Sequence, residues 1–137
     1  MTVYLLDTNT CIHYLRQRNP HVIRRMQARQ RREIRLCSVV QAELYYGAYK
    51  SPAAYRPANL ALLASFFSQF TNLPFDDAAA DVFGRIRAHL ESLGTPIGPY
   101  DLHIASIALV HKLTVVTHNV AEFGRVPGLT VEDWEVP

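Results

Sequence analysis

The sequence predicts an α/β domain with a mostly parallel central sheet flanked by helices, and three observations carry that expectation. Short apolar or β-branched runs at 3–6, 33–37 and 113–117 alternate with segments whose apolar residues recur three and four apart, as strands and helices do when they alternate along a chain. The first and last of these runs lead into polar residues, Asp7 and Thr117-His118-Asn119, and open sheets bind ligands beyond the carboxyl ends of their strands. At 137 residues the chain has the size of one domain, so 1–137 reads as a single unit.

Taken in order, residues 3–6 form a strand that ends at Asp7. Thr8-Asn9-Thr10 makes a turn, and a helix runs on through residues 11–15. Residues 33–37 alternate like a strand, and Ser38 with Gln41 three positions later signals a capping box opening a helix that Gly47 closes. A Pro- and Ala-containing stretch at 51–57 precedes a helix over 60–70 and a short strand over 71–75. Asp76 or Asp77 caps a helix through Val82, Phe83, Ile86, Leu90 and Leu93, which Gly94 terminates. After the loop at 95–99, residues 100–112 are apolar on most faces, as in a helix buried against a sheet. The β-branched strand 113–117 follows, and a last strand lies at 129–132.

Hydrophobic residues make up 49% and charged residues 19% of the chain, which suits a globular protein and excludes a disordered one. No apolar run approaches the roughly 20 residues needed to cross a bilayer, and the start MTVYLLDTN lacks the basic region and cleavage site of a signal peptide. The expectation is a cytoplasmic protein with no membrane role. Cys11 and Cys37 form no C-x-x-C pair, so they read as buried hydrophobes and not as a disulfide framework or zinc knuckle. The net charge of +2 hides a cluster, because Arg16, Arg18, Arg24, Arg25, Arg29, Arg31, Arg32 and Arg35 crowd one stretch while the remainder is mildly acidic. Such a stretch suits phosphate contacts on a nucleic acid, or equally a solvated helix face.

Three carboxylates stand out. Asp7 follows a buried strand, although an Asp there also serves as a helix cap. Glu43 falls on or beside the apolar side of its helix, where a bare charge is costly. It is balanced either by a shared cation or by an arginine from the basic stretch. Asp101 begins the face continued by Ile104, Ala105 and Ala108, and its presence is also explained by the helix N-terminus. Carboxylates converging from element ends suit Mg²⁺, with Mn²⁺ as a substitute, since these ions prefer oxygen ligands and Mg²⁺ keeps several waters. There is no H-E-x-x-H, G-x-S-x-G, Walker loop or G-x-G-x-x-G, which argues against a zinc hydrolase, acyl transfer, P-loop hydrolysis and dinucleotide chemistry. Phosphodiester hydrolysis fits best.

With these residues assembled, LLDTNTCI, VVQAELYYGA, GTPIGPYDLHIAS and TVVTHNVAEFGRVPGLTVEDW resemble the PIN-domain ribonucleases, and among them the VapC toxins. The resemblance spans nearly the whole chain. It implies a single PIN-like domain in which Asp7 and Asp101 bind the metal directly and Glu43 completes the site through the ion or its waters. Many PIN domains carry a further acidic residue after the strand at 113–117, where this chain has His118-Asn119. Asn119, through its amide oxygen or a held water, and Glu122, from the following turn, are equal candidates for that position, and His118 is assigned no catalytic part. The GTPIGPYD and EFGRVPGL stretches look like the subgroup that cleaves initiator tRNA in its anticodon region. The resemblance thus implies a toxin–antitoxin ribonuclease that is homodimeric and blocked by a VapB-like antitoxin. The reaction it implies is attack by a metal-activated water that leaves 5′-phosphate and 3′-hydroxyl ends. The rival readings are an inactive RNA- or antitoxin-binding module, a structure-specific DNA nuclease, and a metal-independent ribonuclease using His118 with Lys112 or another His.

Overall fold

The computed structural model describes residues 1–137. At its centre β1 (Tyr4–Leu6), β2 (Ile34–Cys37), β3 (Thr71–Leu73), β4 (Thr114–Val116) and β5 (Thr130–Glu132) form one sheet in the order β3-β2-β1-β4-β5. Every neighbouring pair is parallel, with Leu5 facing Arg35 on one side and Val115 on the other. Leu5, Leu6, Leu36, Val115 and Val116 are wholly buried, as strands covered on both faces must be.

The connections are α1 (Thr8–Leu15), α2 (Pro20–Gln27), α3 (Ser38–Tyr49), α4 (Arg56–Ser68), α5 (Asp77–Ser92), α6 (Pro99–His111) and α7 (Val120–Phe123). The most buried helix is α6: Leu102, Ile104, Ala105, Ile107 and Ala108 all join the core, and the buried Ser106 hydroxyl is satisfied by donating to the Leu102 carbonyl at 2.7 Å. It ends with Lys112 in the left-handed conformation, φ 55°, where the Leu113 amide donates back to the Ala108 carbonyl and the chain enters β4. Asp76 caps α5 by accepting from the Ala79 amide. Gly94, at φ 71°, closes that helix, with Thr95 N–H bonding Leu90 O and Gly94 N–H bonding Glu91 O, the paired bonds of a Schellman ending.

Several local expectations need correction. Ser38 makes no capping box: Cys37 is the cap residue of α3 without a side-chain bond, and the Ser38 hydroxyl instead accepts from the Phe75 amide across to the segment after β3. Gly47 does not close α3, which runs on to Tyr49 because Leu44 and Ala48 keep its inner face buried. The helix expected over 60–70 begins earlier, at Arg56, with Pro57 in its first turn, where a missing N–H costs nothing.

The arginine stretch is divided: Arg16, Arg18, Arg24, Arg31 and Arg32 are exposed, whereas Arg25 and Arg29 are engaged within the fold. It contains α2, capped by Asn19 with Pro20 at its first position. Arg25 donates to the Trp134 and Val136 carbonyls. Arg29 lies over the rings of Trp134 and Tyr4, at 4.5 and 4.8 Å. Arg31 and Arg32 occupy the short 3-10 turn that opens β2, at the amino edge of the sheet.

Candidate functional site

Because every strand points the same way, the residues that follow them collect at one edge. Asp7 leaves β1 with its amide still bonded to the Val116 carbonyl at 3.0 Å, and its side chain caps α1 by accepting from the Thr10 amide at 2.9 Å. The helix-cap reading of Asp7 is therefore correct, yet it does not exhaust the residue. The carboxylate is only 7% exposed. Burial pushes its pKa up, against hydrogen bonds from the Thr117 hydroxyl and from Thr10 that favour the charged form.

Asp101 sits in the first turn of α6 after Gly98 and caps nothing, so its oxygens are free to face across the edge. The Asn119 amide donates to Asp101 Oδ2 at 3.2 Å and also to Glu122 Oε2. Glu122 itself reaches Asp101. Burial, then the hydrogen bond and repulsion from Glu122, raise the Asp101 pKa to about 6, while Asn119 works in the opposite direction. Two carboxylates are thus pressed together, and neither has a cationic side chain within 4.0 Å.

Glu43 completes the group from α3. It is half-buried and accepts from the Thr8 hydroxyl at 2.9 Å. The alternative of an arginine counter-charge is not met: Arg16 lines the same groove but forms no ion pair with Glu43.

The structure therefore brings Asp7, Asp101, Asn119 and Glu122 to one edge, with Glu43 tied to it through Thr8. Asn119 turns its donor side to the carboxylates, and Glu122 brings a further negative oxygen beside Asp101. The crowding of unneutralised oxygens fits a hard divalent cation held by Asp7, Asp101 and Glu43, with Glu122 beside them. The nearby thiols offer no competing soft ligand, because burial holds Cys11 well above the usual range and pushes Cys37 to about 11. His118 bonds Asp133 at 2.9 Å and none of these oxygens, although Asp7 still acts on it electrostatically. Sequence reasoning missed the positioning roles of Thr8, Thr10 and Thr117. Their signal was the placement of hydroxyl residues directly after Asp7 and at the end of the paired strand.

An all-parallel five-stranded sheet whose carboxyl edge gathers aspartates and glutamates from separate helices is the architecture of a PIN-type protein. The PIN domain family matches residues 4–129, and the chain belongs to that family, within its VapC branch. It is 43% identical over 134 residues to the tRNA(fMet)-specific endonuclease VapC of Salmonella typhimurium strain LT2, covering 98% of this chain and 99% of that one. It is 37% identical over 134 residues to ribonuclease VapC2 of Haemophilus influenzae, again covering 98% and 99%. Among solved structures, DNA-bound VapBC from Salmonella typhimurium superposes with a TM-score of 0.88 at 42% identity, covering 98% of this chain and 99% of the other. No helix is long and apolar enough to cross a membrane.

Proposed function

We propose that this chain is the toxin of a VapB–VapC type pair, a Mg²⁺-dependent endoribonuclease that cuts initiator tRNA in the anticodon region. The observation that carries the reading is the contact between Asp101 and Glu122 with no cationic partner, opposite the buried Asp7. Such an arrangement is unfavourable alone and favourable around a cation.

Asp7 and Asp101 hold the ion, Glu43 completes the acidic site, and the Asn119 amide orients Asp101 and Glu122 by bonding both. A divalent ion bound there supplies Lewis-acid stabilisation of negative charge on the phosphate and lowers the pKa of water. Glu43, fixed by the Thr8 hydroxyl, orients the attacking water and accepts its proton. In-line displacement then leaves 5′-phosphate and 3′-hydroxyl ends. The buried Thr10 and Thr117 hold Asp7 in one orientation, so the site is preorganised.

The substrate reading is supported by the Salmonella relative named for tRNA(fMet), which matches over almost the entire chain. An antitoxin partner is supported by the VapBC complex among the matching structures. The apolar groove beside Glu43, lined by Ile12, Leu15, Leu44, Leu62 and Leu63, gives an antitoxin segment a surface from which to cover the carboxylates. The toxin acts as a homodimer in the cytoplasm, where its RNA substrate resides.

The test is cleavage of purified initiator tRNA with Mg²⁺ and with excess EDTA, followed by mapping of fragment ends. A single Mg²⁺-dependent cut with 5′-phosphate ends is expected. Cutting that persists in EDTA and leaves cyclic phosphates would replace the carboxylate site with a histidine mechanism. Preference for a branched DNA over every RNA would make the chain a DNA nuclease.

A further inference from the structure

We propose that His118, Asp133 and Glu135 form a second cation site, beside the carboxylate crevice but sharing no ligand with it, that takes a transition-metal ion of the Zn²⁺ type. Parallel pairing puts these residues together. Val116 pairs with Glu132, and the Thr117 amide extends the ladder to the Glu132 carbonyl at 2.9 Å. His118 and Asp133 therefore emerge side by side from neighbouring strands. The chain then reverses, because the Glu135 amide donates to Asp133 Oδ1 at 2.9 Å, and this turn brings the Glu135 carboxylate back to the same point.

One ligand atom from each of the three residues lies within 4.8 Å of the other two, and His118 Nδ1 is 2.9 Å from Asp133 Oδ2. Ligands held at about 2.0–2.1 Å from Zn²⁺ sit roughly 3 Å apart on adjacent vertices, so the His118–Asp133 pair already spans one edge of a coordination shell. The outer contacts also suit a metal site. His13 Nε2 bonds Glu135 Oε1 at 3.1 Å, an imidazole orienting a ligating carboxylate from behind. His118 is 64% exposed, while Asp133 and Glu135 are 16% and 14% exposed, which leaves an entry path on one side only. Separate ion pairs account for His118 with Asp133 and for His13 with Glu135, but they do not require all three ligand atoms to converge.

The two sites differ in chemistry. The crevice offers only oxygen, whereas this one offers an imidazole nitrogen, which suits Zn²⁺ and Co²⁺ better than Mg²⁺. An ion here ties the loop that carries Asn119 to the C-terminal segment that carries Trp134.

The test is titration of the full chain with Co²⁺ in excess Mg²⁺, read by d–d absorption and followed by displacement with Zn²⁺. One equivalent of Co²⁺ is expected, displaced by one of Zn²⁺. His118→Ala and Asp133→Asn should each weaken binding at least tenfold, while Asp7→Asn leaves it within twofold. Circular dichroism without metal confirms that each variant is folded. The proposal is overturned if the wild type shows no Co²⁺ band at millimolar metal, or if His118→Ala binds within tenfold of the wild type. It is equally overturned if Asp7→Asn removes the band, which would place the ion in the crevice.

Discussion

The carboxylate crevice and the arginine stretch are the two charged regions of this molecule, and they treat their charge in opposite ways. In the crevice Asp7, Glu43, Asp101 and Glu122 receive hydrogen bonds from threonines and from Asn119 but form no ion pair, with only His13 acting on Asp7 from a distance. In the stretch, Arg25 is satisfied by main-chain carbonyls and Arg29 by two aromatic faces. Charge that the fold satisfies is structural, and charge that the fold gathers and leaves unneutralised is kept for a ligand.

The sharpest way to break this contrast is to remove charge from the crevice. Asp7→Asn or Asp101→Asn keeps size and most hydrogen bonds, so the fold should survive while the RNA cleavage rate falls by about a thousandfold or more, roughly 4 kcal/mol of transition-state stabilisation. Single-turnover assays on purified protein measure this, and a loss below tenfold would leave Asp7 as a helix cap only and Asp101 without a catalytic role. The stretch should respond in the other direction. Arg29→Ala removes two cation–π contacts and aliphatic packing over Trp134, which should cost about 1–2 kcal/mol in a urea denaturation curve with cleavage unchanged. A cleavage defect at equal stability would restore an RNA-contacting role to Arg29.

Smaller effects refine the picture. Thr8→Val removes the donor that fixes Glu43 and should slow cleavage about tenfold, equivalent to roughly 1.4 kcal/mol, with little change in melting temperature. The smallest effect is on pH dependence. Asp101 has its pKa raised to about 6 in the fold from an ordinary 3.8, so the folded chain holds a proton between those values that the unfolded chain has released. Its contribution to stability is therefore greatest at low pH and declines as pH rises through that window. Because the group is half in water, the expected magnitude is of order 1 kcal/mol or less. Melts at pH 5 and pH 7 should show this decline in cation-free wild type relative to Asp101→Asn, and Mg²⁺ should abolish it.

The sequence made the alternation of strands and helices legible because the buried strands and the inner faces of α5 and α6 are written in apolar spacing. Asp7, Glu43 and Asp101 were legible as charges at places where charge is expensive. The bridging of Asp101 and Glu122 by Asn119 was not legible, because it depends on which way an amide faces across two elements 18 residues apart in the chain. Nor could α2 be separated from its arginines, although Asn19-Pro20 is a start signal. What Arg25 and Arg29 do is decided by Trp134 and Val136, more than a hundred positions away. The capping box failed for a similar reason, since the Ser38 hydroxyl found a partner on a neighbouring segment that local spacing does not reveal.

Trp134 is the only tryptophan in the chain, is 1% exposed, and packs at a 60° tilt against Tyr4 beneath Arg29, between the two acidic residues that flank it in sequence. The protein therefore carries a single tryptophan, which can be excited selectively above the tyrosine band, in the segment that closes the C-terminal end of the fold. Its emission should be blue-shifted while that segment is docked and move to the red when it is released. An optical signal of this kind would follow the docking of the last residues in real time without any label.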